Sequence, residues 1–139
     1  MASKRSVTAR QHNQLGVTFF ESGALVLAIE QFTRAARRAP WVPTYWLNLG
    51  VALLDRGDVN EAKIALDKSL KLNPQSQSAY FYLAQIHSKR GDDLSARAAY
   101  QKVIDLDSST HLARRALELT KGRCPQLITQ SKPSRDGRL

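Results

Sequence analysis

Shifting the sequence by 34 residues lays it upon itself, and this internal period limits the fold more than any other property of the chain. Leu15, Leu49 and Leu83 coincide, followed by Gly16, Gly50 and Ala84. Gly23, Gly57 and Gly91 coincide, as do Ala28, Ala62 and Ala96. Phe32, Leu66 and Tyr100 form another column, and Ala35, Ser69 and Val103 the next. Pro40 matches Pro74, with Ser108 in the third copy. Three copies align without a gap. A chain built this way stacks similar units side by side, and each unit covers apolar surface that its neighbour leaves open.

Each copy divides into two helical patterns of about 14 residues around its glycine. The first patterns cover 9–22, 43–56 and 77–90; the second cover 25–38, 59–72 and 93–106. Asp58 and Glu61 have capping-box spacing, and Asp92 suits an N-cap after Gly91. The small residues have a steric reason: Gly16, Gly50 and Ala84 are expected to face Ala28, Ala62 and Ala96, where the paired helices come closest. Leu15, Leu49, Leu83, Phe32, Leu66 and Tyr100 fill the space beside that contact. The fold class is therefore all-α, three antiparallel helix pairs at 9–42, 43–76 and 77–110.

A terminal lid is expected over 110–121. Leu112, Ala113, Ala116 and Leu117 share one face there; Arg114, Arg115, Glu118 and Lys121 share the other, and Ser109 is positioned to cap the start. Residues 1–8 read as a flexible start. Residues 122–139 lose the period and become Pro-, Ser- and Arg-containing, which reads as a disordered basic tail.

The middle copy spells Trp46-x-x-Leu49-Gly50-x-x-Leu53, then Ala62-x-x-x-Leu66, then Pro74. In these residues the chain resembles the tetratricopeptide repeat family over about 9–110, with leucines where the family pattern has aromatics at 53 and 66. The resemblance implies that the pairs wind into a right-handed α-solenoid. It also implies that ligands lie along a concave face made by the first helix of each pair. The groove residues so implied are Asn13 and Val17 from the first copy, Leu47, Asn48 and Val51 from the second, and Phe81, Tyr82 and Gln85 from the third. Arg10, Gln14, Thr44 and Ser78 share that face, and Phe20 and Leu54 extend it by one turn.

One branch of the family is excluded at once. Co-chaperone members hold a C-terminal carboxylate with a clamp of two lysines, two asparagines and an arginine. The matching positions here are Asn13, Val17, Asn48, Ser78 and Tyr82, of which Asn48 alone agrees. A carboxylate facing Val17 and Tyr82 would lose its charge-assisted hydrogen bonds. Bacterial secretion chaperones of three repeats also use such a groove, but no residue here singles them out. The strip of Val17, Phe20, Leu47, Val51, Phe81 and Tyr82 beside Asn13, Asn48 and Gln85 suits a peptide or helix of another protein. Self-association through the same face is the alternative within this class.

Polyanion binding is a different class. The formal net charge is +9, but Lys4 and Arg5 contribute +2 and the segment from Lys121 onward +4, leaving +3 for residues 9–120. Arg34, Lys68 and Lys102 align, with Arg37 and Lys71 three residues on, so a basic stripe on the second helices is expected; Glu30, Asp67 and Asp105 interrupt it. Nucleic acid therefore ranks below protein as a partner.

The chemistry of a catalyst is not in evidence. His12 and His87 stand at packing positions of the repeat, and no histidine has a partner at metal-ligand spacing. The glycines recur as turn formers and make no phosphate loop. No nucleophile, base and orienting group come together. Neither enzyme activity nor a cofactor or metal is expected. Cys124 is the lone cysteine, beside Lys121 and Arg123; it reads as an incidental thiol. No run of about 18 apolar residues occurs, and Met1 to Thr8 lead into no apolar signal region, so a cytoplasmic location is expected. Gly137-Arg138-Leu139 departs from a peroxisomal ending at its first residue.

Ala24 occupies the position of Asp58 and Asp92 with no side-chain acceptor. Ala24→Asp should stabilise the first repeat by roughly 0.5–1 kcal/mol, read as a raised midpoint in denaturant titration. An unchanged or lowered midpoint would count against this alignment of helix starts.

Overall fold

Every regular element in the computed structural model, which describes residues 6–123, is an α-helix. In order they are α1 (Ala9–Glu21), α2 (Leu25–Arg38), α3 (Pro43–Arg56), α4 (Val59–Leu72), α5 (Gln77–Lys89), α6 (Asp93–Leu106) and α7 (His111–Arg123). The expected flexible start and basic tail, with Cys124, fall mostly outside the described residues; Gly122 and Arg123 belong to α7.

The helix starts have identifiable chemistry. Thr8 caps α1 in a full capping box: the Gln11 N–H donates to Thr8 Oγ1 at 3.1 Å, and the Thr8 N–H donates to Gln11 Oε1 at 2.9 Å. Pro43 takes the first position of α3, where no backbone donor is needed. Ser76 accepts from the Ala79 N–H and Asp92 from the Ser95 N–H. Asp58 departs from expectation. It makes no cap bond, because Arg56 two residues earlier draws its carboxylate into an ion pair. Ser109 departs as well: its hydroxyl donates to Asp107 at 2.7 Å, and Thr110 accepts from the Ala113 N–H at 3.1 Å instead.

Hydrogen bonds from the Ser95 side chain and backbone hold the Asp92 carboxyl below its ordinary value; Ser109 does the same for Asp107. A carboxyl with a depressed folded-state pKa stabilises the fold above its unfolded value, and that contribution disappears as pH falls through the folded one.

Gly23, Gly57 and Gly91 all have positive φ, at 87°, 99° and 79°. A side chain is disfavoured there, so glycine is what lets the chain reverse between the helices of a pair. Ala24 follows with φ −85° and ψ 74°, close to the −91° and 79° of Asp92. The backbone that lets Asp92 cap α6 is thus already present before α2.

Within a pair the close approach differs in detail from the expected glycine-to-alanine contact. Ala28, Ala62 and Ala96 are fully buried, but the side chain lying over each glycine belongs to the large residue one turn later. A Cβ on Gly16 would sit 2.5 Å from the Phe32 ring, and one on Gly50 would sit 2.8 Å from Leu66 Cγ and 3.3 Å from the Ala62 carbonyl oxygen. The absent side chain leaves a socket, and the partner helix fills it with a ring or an isobutyl group.

Pairs stack through α2 on α3, α4 on α5 and α6 on α7, giving a right-handed solenoid with two apolar clusters. One cluster runs from Ala28 and Phe32 through Leu49, Leu53 and Leu66 to Leu83 and Ile86. The other joins Phe81, Ala84, Ala96, Tyr100, Val103 and Ala116. Helix α7 keeps the 34-residue register, so it sits as the first helix of a fourth pair. Ala113 and Ala116 are buried, as expected. Leu117 is 46% exposed and Leu119 packs inward, contrary to the expected face. The register explains this, since Leu117 aligns with Leu49 and Leu83, whose covering includes the second helix of their own pair. Leu15, with no pair before it, is likewise 44% exposed.

Gly16→Ala should lower the unfolding free energy by roughly 1 kcal/mol or more, read as a lower denaturant midpoint, because the clash with a buried ring outweighs alanine's better helix propensity. A stabilised variant would show that Phe32 is free to move aside.

Candidate functional site

The first helices α1, α3, α5 and α7 touch one another from pair to pair, and the side they share is the expected concave face. Its polar anchor is a side-chain hydrogen bond across the first two repeats: Asn48 Nδ2 donates to Asn13 Oδ1 at 2.8 Å. Both residues are half-buried. This bond ties α1 to α3 and consumes one donor and one acceptor that a ligand could otherwise use.

Next to it lies a depression of about 240 Å³ lined by Val17, Phe20, Glu21, Phe32, Asn48 and Val51. Four of these were expected on the groove: Val17, Phe20, Asn48 and Val51. Phe32, whose ring lies over Gly16, forms part of the wall. Leu47 is half-buried and packs on the neighbouring core.

The third repeat corrects the expectation. Phe81 is only 3% exposed and belongs to the core. Its ring meets Tyr82 at 5.6 Å and 89°, and Tyr100 at 5.6 Å and 66°, both edge-on. Its cover comes from α6 and α7, with Tyr100 and Ala116 in the same cluster. Leu54 is buried too, in the central cluster, and does not extend the groove. Tyr82 and Gln85 remain half-buried on the concave side.

A second depression, of about 290 Å³, opens where α5 meets α7. Gln85, Ser88, Lys89, Tyr100, Arg115 and Leu119 line it. Of these, Gln85 alone was anticipated. The signal for the others was present in the period: Glu21, Asp55 and Lys89 share one repeat position, and Arg115 aligns with Asn13, Leu47 and Phe81. Taking 110–121 as a lid with its own pattern hid that alignment.

The convex side accounts for most of the expected basic stripe. Arg34 pairs with Glu30 at 2.7 Å. Lys68 lies over the Trp46 ring at 4.4 Å and Lys102 over Tyr80 at 5.8 Å. These cations are spent on contacts within their repeats, Arg34 along its own helix and Lys68 and Lys102 from second helix to first. His12 is buried, with Nδ1 2.7 Å from Gln31 Oε1, and His87 Nδ1 lies 3.9 Å from Asp92. Among the described residues no helix is long and apolar enough to cross a membrane.

A model of the tetratricopeptide repeat matches residues 13–66 and 47–110. Among curated proteins, cilia- and flagella-associated protein 70 of Homo sapiens is 32% identical over 93 residues; the match takes in 67% of this chain and 8% of that protein. This chain thus spans less than a tenth of that relative. Among solved structures, the Yersinia enterocolitica type III secretion translocator chaperone SycD superposes with a TM-score of 0.79 at 16% identity, covering 85% of this chain and 92% of that one. The TPR2B domain of yeast Sti1, solved as a complex with pHsp70, gives 0.77 at 21% identity, covering 83% and 94%.

Because Phe81 is core and Tyr82 is half-exposed, their alanine variants should separate. Phe81→Ala should cost about 3–5 kcal/mol of unfolding free energy, and Tyr82→Ala clearly less, compared by chemical denaturation. Equal losses would contradict this placement.

Proposed function

The chain belongs to the tetratricopeptide repeat family, and from that premise we propose that it is a scaffold that binds a peptide or helical segment of another protein in its concave groove. Members of this family act as protein-interaction modules, chaperone adaptors among them. The observation that carries the reading for this chain is the depression between α1 and α3. There Val17, Phe20 and Val51 offer apolar area next to the Asn48 amide. An apolar side chain of a partner gains contact there, while the carbonyl oxygen of Asn48, which its bond to Asn13 does not use, accepts from peptide backbone.

The carboxylate-clamp mode is not proposed. The positions that would supply its cations carry Asn13, Ser78 and Tyr82, and the amide of Asn48 is held by Asn13. Catalysis and nucleic-acid binding are not proposed either; the aligned basic residues of the second helices are occupied by Glu30, Trp46 and Tyr80. A cytoplasmic site of action is part of the same proposal, as the setting for a protein partner.

Site-specific photocrosslinking tests it. A crosslinking residue at Gln85, in the groove, should capture a partner protein from cells, and one at Leu94, 74% exposed on α6, should not. Val51→Asp should reduce the Gln85 crosslink at least tenfold with helicity unchanged, since it sets an unpaired charge in the apolar depression. Equal capture from Leu94, or a Gln85 crosslink indifferent to Val51→Asp, would overturn the groove assignment.

A further inference from the structure

The two depressions of the concave face differ in charge. Glu21 lines the one between α1 and α3, whereas Lys89 and Arg115 line the one between α5 and α7. Glu21 and Lys89 occupy the same repeat position, two copies apart, so the rim changes sign along the solenoid. All three side chains belong to exposed residues, and none of them is ion-paired within the described residues. Arg34, Lys68 and Lys102 on the second helices are engaged in internal contacts, but these rim charges are not. A groove with one acidic and one basic end imposes an orientation on whatever lies in it, because the reversed ligand meets like charge at both ends.

Resting on the groove reading above, we infer that the occupant is an extended peptide of dipolar pattern. It carries an apolar side chain with an adjacent lysine or arginine at one end and an aspartate or glutamate at the other. The apolar side chain enters the depression at Val51 and its basic neighbour meets Glu21. The acidic residue reaches Lys89 and Arg115. The spacing follows from the helices between them. Packed helices stand about 8–10 Å apart, and the depressions are two such steps apart, roughly 16–20 Å. At about 3.3–3.6 Å per extended residue, the acidic residue lies about five or six positions from the apolar one.

The probe is a random dodecapeptide phage library selected on the full chain, followed by fluorescein-labelled synthetic peptides from the enriched class in anisotropy titrations. Wild-type protein should enrich an apolar residue with an acidic one five or six positions away. The Lys89→Glu/Arg115→Glu variant, checked for helicity by circular dichroism, should bind those peptides about fivefold more weakly or worse, as expected for reversal of exposed ion pairs. Selection on that variant should enrich lysine or arginine at the same distance. Glu21→Lys should exchange the preference beside the apolar residue and leave the distant acidic one in place.

Peptides that bind wild type and the double variant equally, yet are lost with Val51→Asp, would overturn the charge pattern and leave the groove standing. Peptides indifferent to Val51→Asp as well would overturn both. Failure of wild-type protein to enrich any peptide class would also count against both.

Discussion

Two helices of a pair can pack only as closely as the side chains between them allow, and in this protein that limit rests on Gly16 and Gly50. A methyl group at either position would overlap Phe32 or Leu66. With hydrogen there, the ring or isobutyl group of the second helix drops into the first, and the flanking Ala28 and Ala62 are sealed from water. This local fit sets the geometry of each hairpin, and the hairpins set the curvature of the array. The concave surface is therefore a consequence of packing on the opposite side of α1, α3 and α5.

Stacking repeats the same logic between hairpins. Leu49 and Leu83 are buried and Leu15 and Leu117 are exposed, although all four occupy one repeat position. Their burial requires a helix on both sides, and among the described residues the outer two lack one. Glu118, at the position of Gly16, Gly50 and Ala84, puts a long charged side chain where a further second helix would have to approach. The outer side of α7 therefore carries both the exposed Leu117 and the exposed Glu118.

The depression between α1 and α3 was legible in part. Val17, Phe20, Asn48 and Val51 could be assigned from repeat position because every first helix presents the same face in the same register. The Asn13–Asn48 bond was not legible, since an amide pair 35 residues apart could equally have faced a ligand. Phe81 was misplaced for a related reason. Its repeat position is shared with Asn13 and Leu47, but part of its cover comes from α7, a helix read by its own amphipathic pattern and not by the 34-residue register. Lys89 and Arg115 were passed over with it. The charge sign of a rim is written in the sequence, but the junction that gathers those charges forms only when α7 docks.

The period of small and large residues was enough by itself to determine helical hairpins, their boundaries and their glycine reversals. Those features depend on backbone conformation and on contacts within one repeat, where spacing along the chain equals spacing in three dimensions. Tertiary structure alone decided which groove residues remain open, which cations are already engaged, and where opposite charges line the concave face. Each of these depends on a neighbour supplied by another hairpin, so exposure belongs to the stack and not to the residue.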